Sequence, residues 1–393
     1  MGDRLAEATA LTDLGDARRL AGDSAGAAGA LEQALGLSRD LGHRLGEATT
    51  LHILGIIQQT AGNFAGAGGL LEPALGLYRD LGNQLGEAIT ATDLGNLRRV
   101  TGDPEGAARM LDHAVGLCRD LGHQRGEAHT LIGLGVVRWE TGDYPGAARL
   151  LEQARDLLHD LGDRRGEGSA LIGLGVVRWV TGDYPGATGV LEEHALDLFR
   201  DLGYRLGEAN TLTYLGAVRR ETGDYRDAAR LLDHALGLYR DLGSRPGEAN
   251  ACTELAAVRY RTGDYRGAAR LLDQALGLYR ALGHPLGEAE ALNHRGTLHL
   301  TTGHPDQALT DYQHALHLAR TVNNPLEHAR ALHGTGRCAL TRGDTTTTTT
   351  TARTHLRQAL QIYQRLSAAE ATHLATDLAK LETGVFPILL TPI

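Results

Sequence analysis

The chain has 393 residues, 42% of them hydrophobic and 22% charged, with a formal net charge of −9. That apolar content is enough for a continuous core. The acidic balance, without a basic block and with Lys380 as the only lysine, argues against a nucleic-acid surface or an anchor on an anionic membrane.

Taken from its start, Met1-Gly2-Asp3-Arg4 begins no signal peptide. It matches Leu161-Gly162-Asp163-Arg164 with methionine in place of leucine, so the chain is expected to open inside a repeat linker, as a piece of a longer reading frame would. From there the sequence returns on itself every 40 residues. Leu54-Gly55, Gly62-Asn63-Phe64, Ala67, Leu71 and Ala74 come back as Leu134-Gly135, Gly142-Asp143-Tyr144, Ala147, Leu151 and Ala154. They come back again as Leu215-Gly216, Gly223-Asp224-Tyr225, Ala228, Leu232 and Ala235. A period of this length marks a solenoid, in which each unit buries its apolar face against the next.

Each unit reads as a helical hairpin. In the fourth, a first helix is expected from about Gly126 to Glu140, with Leu131, Leu134 and Gly135 on one face. Thr141-Gly142-Asp143 stops it, and a second helix runs from about Tyr144 to Asp160, followed by Leu161-Gly162. First helices are expected near residues 4, 46, 86, 126, 166, 207, 247, 287 and 327. Their glutamates, from Glu7 and Glu47 to Glu327, sit in first turns, and Arg39, Arg79, Arg119, Arg200, Arg240 and Arg280 sit in last turns, as helix dipoles favour. The small residues Gly135, Ala147 and Ala154 are expected at close helix contacts.

Three places break the period. One extra residue near Glu192-Glu193-His194 lies inside a second helix, where a π-bulge would absorb it. The tract Thr345–Thr351 reads as a loop or a frayed helix start, because threonine is a weak helix former. The segment 383–393 is apolar, carries Pro387 and Pro392, and either caps the last helix or folds back.

These residues resemble the tetratricopeptide repeat (TPR): the Leu-Gly of the first helix, the Gly-Asp-Tyr turn and the spaced apolar residues of the second. The usual repeat has about 34 residues. The longer unit here is similar to repeats of the LGN/Pins class and to the C-terminal arrays of actinobacterial STAND (NB-ARC-type) regulators, and the arginine-rich composition fits a GC-rich genome of that kind. The ending from Tyr363-Gln364-Arg365-Leu366 to Leu378-Ala379 is similar to the last repeat and closing helix of such arrays. The resemblance implies an all-α, right-handed superhelical α-solenoid of about nine hairpins plus a C-terminal closing helix, over residues 1–382 as one elongated domain. It also implies a protein-interaction scaffold or sensor array, part of a regulatory or signalling protein, that takes a protein or peptide in its concave groove. A self-assembling solenoid stacking through open terminal repeats, or the accessory array of an upstream NTPase domain, is the alternative.

One departure stands out. Arg18, Arg98, Arg138, Arg178, Arg219 and Arg259 occupy a position where the repeat usually has an aromatic. Set against Glu32, Glu72, Asp112, Glu152, Asp233 and Asp273, they suggest a ladder of buried arginine–carboxylate pairs between layers, or arginines gripping an acidic peptide. The groove stripe should lie three residues before, one after and four after the Leu-Gly glycine. It gives Ile132, Val136, Trp139, Ile172, Val176 and Trp179 in the middle, flanked by Arg99, Arg220 and Tyr260. An apolar patch rimmed by arginine suits an acidic or apolar ligand. Leu131–Trp139 is repeated as Leu171–Trp179, so the second tryptophan is also readable as a copy that packs against a neighbouring helix.

The sequence holds no P-loop, no GxSxG and no HExxH, and of its 18 histidines His113, His234 and His314 recur at one repeat position, as surface or packing residues would. No enzyme activity, metal site or cofactor is expected. Cys118, Cys252 and Cys338 lie far apart without a CxxC, which fits a reducing cytoplasm.

Overall fold

The computed structural model describes residues 2–20, 23–341 and 346–382, and every secondary element among them is a helix. They group into two compact units, residues 1–134 and 135–393. The first contains α1 (Gly2–Leu20), α2 (Ser24–Asp40), α3 (Arg44–Thr60), α4 (Phe64–Asp80), α5 (Gln84–Val100) and α6 (Pro104–Asp120). The boundary falls within α7 (Gln124–Glu140). The second unit continues with α8 (Tyr144–Asp160), α9 (Arg164–Val180) and α10 (Tyr184–Thr188), then a π-helix (Gly189–Leu196) and α11 (Asp197–Asp201). Beyond these come α12 (Arg205–Glu221), α13 (Tyr225–Leu242), α14 (Arg245–Arg261), α15 (Tyr265–Leu282), α16 (Pro285–Thr301) and α17 (Pro305–Thr321). The chain closes with α18 (Pro325–Thr341), α19 (Thr346–Leu366) and α20 (Glu370–Glu382).

The hairpins form for local reasons. The turn aspartate caps the second helix: Asp143 Oδ1 accepts the Gly146 amide at 2.9 Å, and Asp103, Asp183 and Asp264 do the same for Gly106, Gly186 and Gly267. First helices start slightly earlier than the sequence suggests, at Arg44 and Arg164 rather than near 46 and 166, because His43 and Asp163 take the N-cap position. At Gly135 a β-carbon would stand 2.8 Å from Leu151 Cγ, so glycine lets α7 and α8 touch. Second helices bury Ala147, Leu151, Ala154 and Leu158.

Charges staple one hairpin to the next. Arg79 Nε lies 2.8 Å from Glu87 Oε1, Arg240 Nε 2.9 Å from Glu248, and Arg280 Nε 2.6 Å from Glu288. Each pair joins the last turn of a second helix to the first turn of the next first helix. The arginine–carboxylate ladder forms at two of the expected rungs, Arg98–Glu72 (3.7 Å) and Arg259–Asp233 (3.6 Å), while Arg219 pairs with Glu192 (2.6 Å) and Asp273 with Arg295 (3.3 Å), both outside the expected series. It is not buried, however. Arg138 and Arg178 are exposed and the other rungs are partly solvated, because the arginines point across the ends of the second helices rather than into the core.

The extra residue of the fifth repeat is absorbed as a π-helix spanning Gly189–Leu196. Thr346–Thr351 open α19 as helix; residue 345 and the segment 383–393 lie outside the described residues. Cys118, Cys252 and Cys338 are free and buried, Cys118 among the packed core positions. No described helix is long and apolar enough to cross a membrane.

Candidate functional site

Within the second unit, helices far apart in the chain meet. Asn324 Nδ2 donates to the Glu140 carbonyl oxygen at 2.8 Å. Gly142, in the turn after α7, lies against Pro325 and Leu366, and Gly182 lies against Ala369. A stack of hairpins bound only to immediate neighbours would lack these contacts. They bring α18–α20 back to the turns after α7 and α9 and enclose a cavity of about 280 Å³.

First helices supply most of the wall: Trp179 and Val180 on α9, Arg220 and Glu221 on α12, Arg261 on α14. Asn293, His294 and Thr297 follow on α16, and Glu327, Arg330 and His333 on α18. Tyr184, Tyr312 and the α20 residues Glu370, His373 and Asp377 complete it. Trp179, Arg220, Asn293, Thr297 and His333 fall on the groove register counted from Gly175, Gly216, Gly296 and Gly336. The last three were missed because that register was not carried into the final repeats, although their Leu/Arg-Gly and Thr-Gly pairs show where it continues.

The expected groove residues separate. Trp179 lines the cavity, half-buried, and its ring lies 6.5 Å from that of Tyr214, which also meets Trp139 edge-on at 6.4 Å. Both tryptophans thus pack on α12, and Trp179 faces the cavity as well. Ile172, Val136 and Trp139 are half-buried in the second unit; Arg99 and Ile132 are half-buried in the first. Val176 (3% exposed), Arg220 (4%) and Tyr260 (3%) correct the expectation of an exposed stripe. The unit closes over them, so these positions face packed neighbours instead of solvent.

Inside, arginines are already matched. Arg220 Nη2 is 3.0 Å from Glu221 and 3.2 Å from Glu254. Arg330 pairs with Glu327 (2.7 Å) and Glu370 (2.8 Å). Burial works against the Glu221 carboxylate, but Arg220 and then Arg261 outweigh it and hold its pKa low. Burial, followed by Glu327 and Glu254, pushes Glu290 up to about 8. Burial and then Arg337 push His333 down to about 3, so it is neutral near pH 7. Two buried polar atoms of the wall have no hydrogen bond. Asn293 gives its Nδ2 to Glu327 Oε2 at 2.8 Å, which leaves its Oδ1 buried without one, and His333 Nδ1 is in the same state. Such a wall suits an occupant with hydrogen-bond donors and some apolar surface.

Comparison with known proteins agrees with this architecture. The tetratricopeptide-repeat sequence profile matches residues 86–160, 166–241, 208–281 and 247–321. No protein of curated function matches the chain in sequence. Among solved structures, a Rap protein complexed with competence and sporulation factor superposes with TM-score 0.58 at 14% identity, over 88% of this chain and 99% of that one. The Rap conjugation gene regulator of plasmid pLS20, in complex with the Phr* peptide, gives TM-score 0.55 at 16% identity, over 71% and 74%. A STAND protein with a tetratricopeptide repeat sensor from Pyrococcus horikoshii gives 0.48 at 13% identity, over 90% and 54%.

Proposed function

Because the chain belongs to the tetratricopeptide repeat family, we propose that it is a protein-interaction array whose second unit takes a short peptide, or one end of a partner protein, into its cavity. The observation that carries this reading is the cavity wall itself. It joins an aromatic side, Trp179 and Tyr184, to a buried acceptor, Asn293 Oδ1, that the fold leaves without a donor. A peptide offers the matching pair, an apolar side chain beside a backbone N–H. The two Rap structures, one in complex with the Phr* peptide and one with competence and sporulation factor, support the same use of a similar fold. A role as the sensor segment of a regulatory protein follows from this reading. An acidic ligand gains no support, since Arg220 and Arg330 are bonded to carboxylates already.

The test uses intrinsic fluorescence, as Trp139 and Trp179 are the only two tryptophans. Trp139→Phe leaves Trp179 as reporter. Titration with a library of short peptides should find sequences that shift its emission saturably, and Asn293→Ala should weaken them by roughly tenfold or more. Photo-crosslinked peptide mapping outside the cavity wall would overturn the assignment.

A further inference from the structure

We propose that Glu254, Glu290 and His294 form a binding site for one divalent first-row transition ion, such as Zn²⁺, in the wall of the cavity. This does not depend on what else the cavity binds.

The three side chains converge from two neighbouring first helices. Glu290 and His294 stand one turn apart on α16 and Glu254 comes from α14; one potential ligand atom of each lies within 4.8 Å of the other two. Bonds of about 2.0–2.2 Å in a tetrahedral shell place ligand atoms roughly 3.3 Å apart. Closing the difference takes small rotations of two glutamate side chains. Two carboxylate oxygens and one imidazole nitrogen make a donor set for Zn²⁺ and its first-row neighbours rather than for Ca²⁺ or Mg²⁺.

The imidazole is prepared for that role. Its Nδ1 is hydrogen-bonded to the Tyr260 hydroxyl at 3.1 Å, which fixes the ring; with Nδ1–H as the donor to that hydroxyl, Nε2 carries the lone pair a metal takes. Burial, then Arg220 and Arg330, hold His294 well below its usual pKa, so the ring is neutral. A protonated ring could not be a ligand.

A second, independent observation is that the fold gives these two carboxylates one cation between them. Glu254 is 3% exposed and its Oε2 lies 3.2 Å from Arg220 Nη2, a cation it shares with Glu221. Among the described residues none gives Glu290 a hydrogen bond or an ion pair. Buried charge normally has a partner. Glu290 is left without one, and a metal ion would supply it. Glu221 keeps Arg220 neutralised when Glu254 turns to the ion. His294 lines the cavity, so the ion can enter from it and keep positions open towards it. The sequence hid this site because its third ligand comes from another repeat; only Glu290-xxx-His294 is local.

The test is metal retention by the full chain, stripped with chelator, loaded with Zn²⁺ and desalted. One equivalent per chain should remain, and Co²⁺ in its place should give the visible bands of a nitrogen- and oxygen-ligated ion. Glu290→Gln and His294→Gln, both near-isosteric, should each weaken binding by roughly tenfold or more. His314→Gln, an exposed histidine on α17, should not. Circular dichroism and melting confirm that each variant is folded. Retention of less than a tenth of an equivalent by the wild type, or equal retention by wild type, Glu290→Gln and His294→Gln, overturns the proposal.

Discussion

Asn324 Nδ2 and the Glu140 carbonyl oxygen, 184 residues apart in the chain, are joined by a hydrogen bond of 2.8 Å. The same side chain accepts the Glu327 amide through Oδ1 at 2.8 Å and so caps α18. One buried amide thereby starts a helix and closes the second unit. Asn324→Ala should destabilise by about 1–3 kcal/mol, a cap plus a buried hydrogen bond. Asn324→Asp keeps the cap but cannot donate to the carbonyl, so it should lose stability too. Chemical denaturation of both variants checks this. An Asp variant as stable as the wild type would mean that the contact with Glu140 contributes nothing.

Closure also makes the turn after α7 intolerant. Gly142 has φ +88° and a β-carbon there would run into Leu366 and Pro325. Gly162, at φ +64°, has open space around it. Alanine at either position strains the backbone by about 1 kcal/mol. Gly142→Ala should lose a further 1–3 kcal/mol or so from overpacking. Equal melting shifts for the two variants would contradict the closed arrangement.

The contrast between these contacts and the hairpins explains what the sequence could tell. The hairpin is local: a capping aspartate, a turn glycine and apolar residues at helical spacing are all visible within one period. The π-helix was equally legible, since a single inserted residue within an apolar frame has few other places to go. Closure of the second unit is not local. It is the sum of small rotations between successive hairpins, and no window of sequence contains Asn324 together with Glu140. The same gap explains the groove residues. Their register was readable and placed Trp179 and Arg220 on the cavity wall, but enclosure turned an open stripe into packed side chains at Val176 and Tyr260.

Arginines of one composition class should therefore differ sharply. Arg98 is partly exposed and lies 3.7 Å from an exposed Glu72. Arg220 is buried between Glu221 and Glu254. Arg98→Met should change stability by less than about 1 kcal/mol. Arg220→Met leaves the buried Glu254 and the half-buried Glu221 without this cation and should lose roughly 3–5 kcal/mol. Urea melts of the two proteins measure the difference; similar losses would return the ladder to the structural role expected of a buried network.

The π-helix should be removable. Deleting exposed His194 turns Leu191-Glu192-Glu193-His194-Ala195 into the spacing of Leu151-Glu152-Gln153-Ala154, which is plain α-helix. The deletion should leave stability unchanged or raise it, and should increase hydrogen-exchange protection over residues 189–196. A loss of more than about 2 kcal/mol would show that the bulge positions Leu196 and Phe199 in a way the regular helix cannot.

The cavity carboxylates and imidazoles give opposite pH slopes. The Glu290 carboxyl moves from an ordinary 4.5 to about 8. Between those values the folded protein holds a proton that the unfolded chain releases, so stability falls as pH rises through this window and levels off above it. His333 moves from 6.5 to about 3. There the unfolded chain binds the extra proton, so stability falls as pH drops from 6.5 towards 3. Glu254, raised by burial, adds to the first slope, and His294, lowered by burial, adds to the second. The two slopes oppose each other between 4.5 and 6.5, and above 6.5 the carboxylate slope stands alone among these groups. Unfolding free energies measured with chelator present should thus decline from pH 6.5 to 8 in the wild type and decline less in Glu290→Gln. His333→Gln should keep that decline and flatten the acid limb instead. Added Zn²⁺ should remove the decline in the wild type, because an ion bound to the ionised carboxylates takes over from the proton. An unaltered alkaline limb in Glu290→Gln would show that its carboxyl is not the group that titrates there.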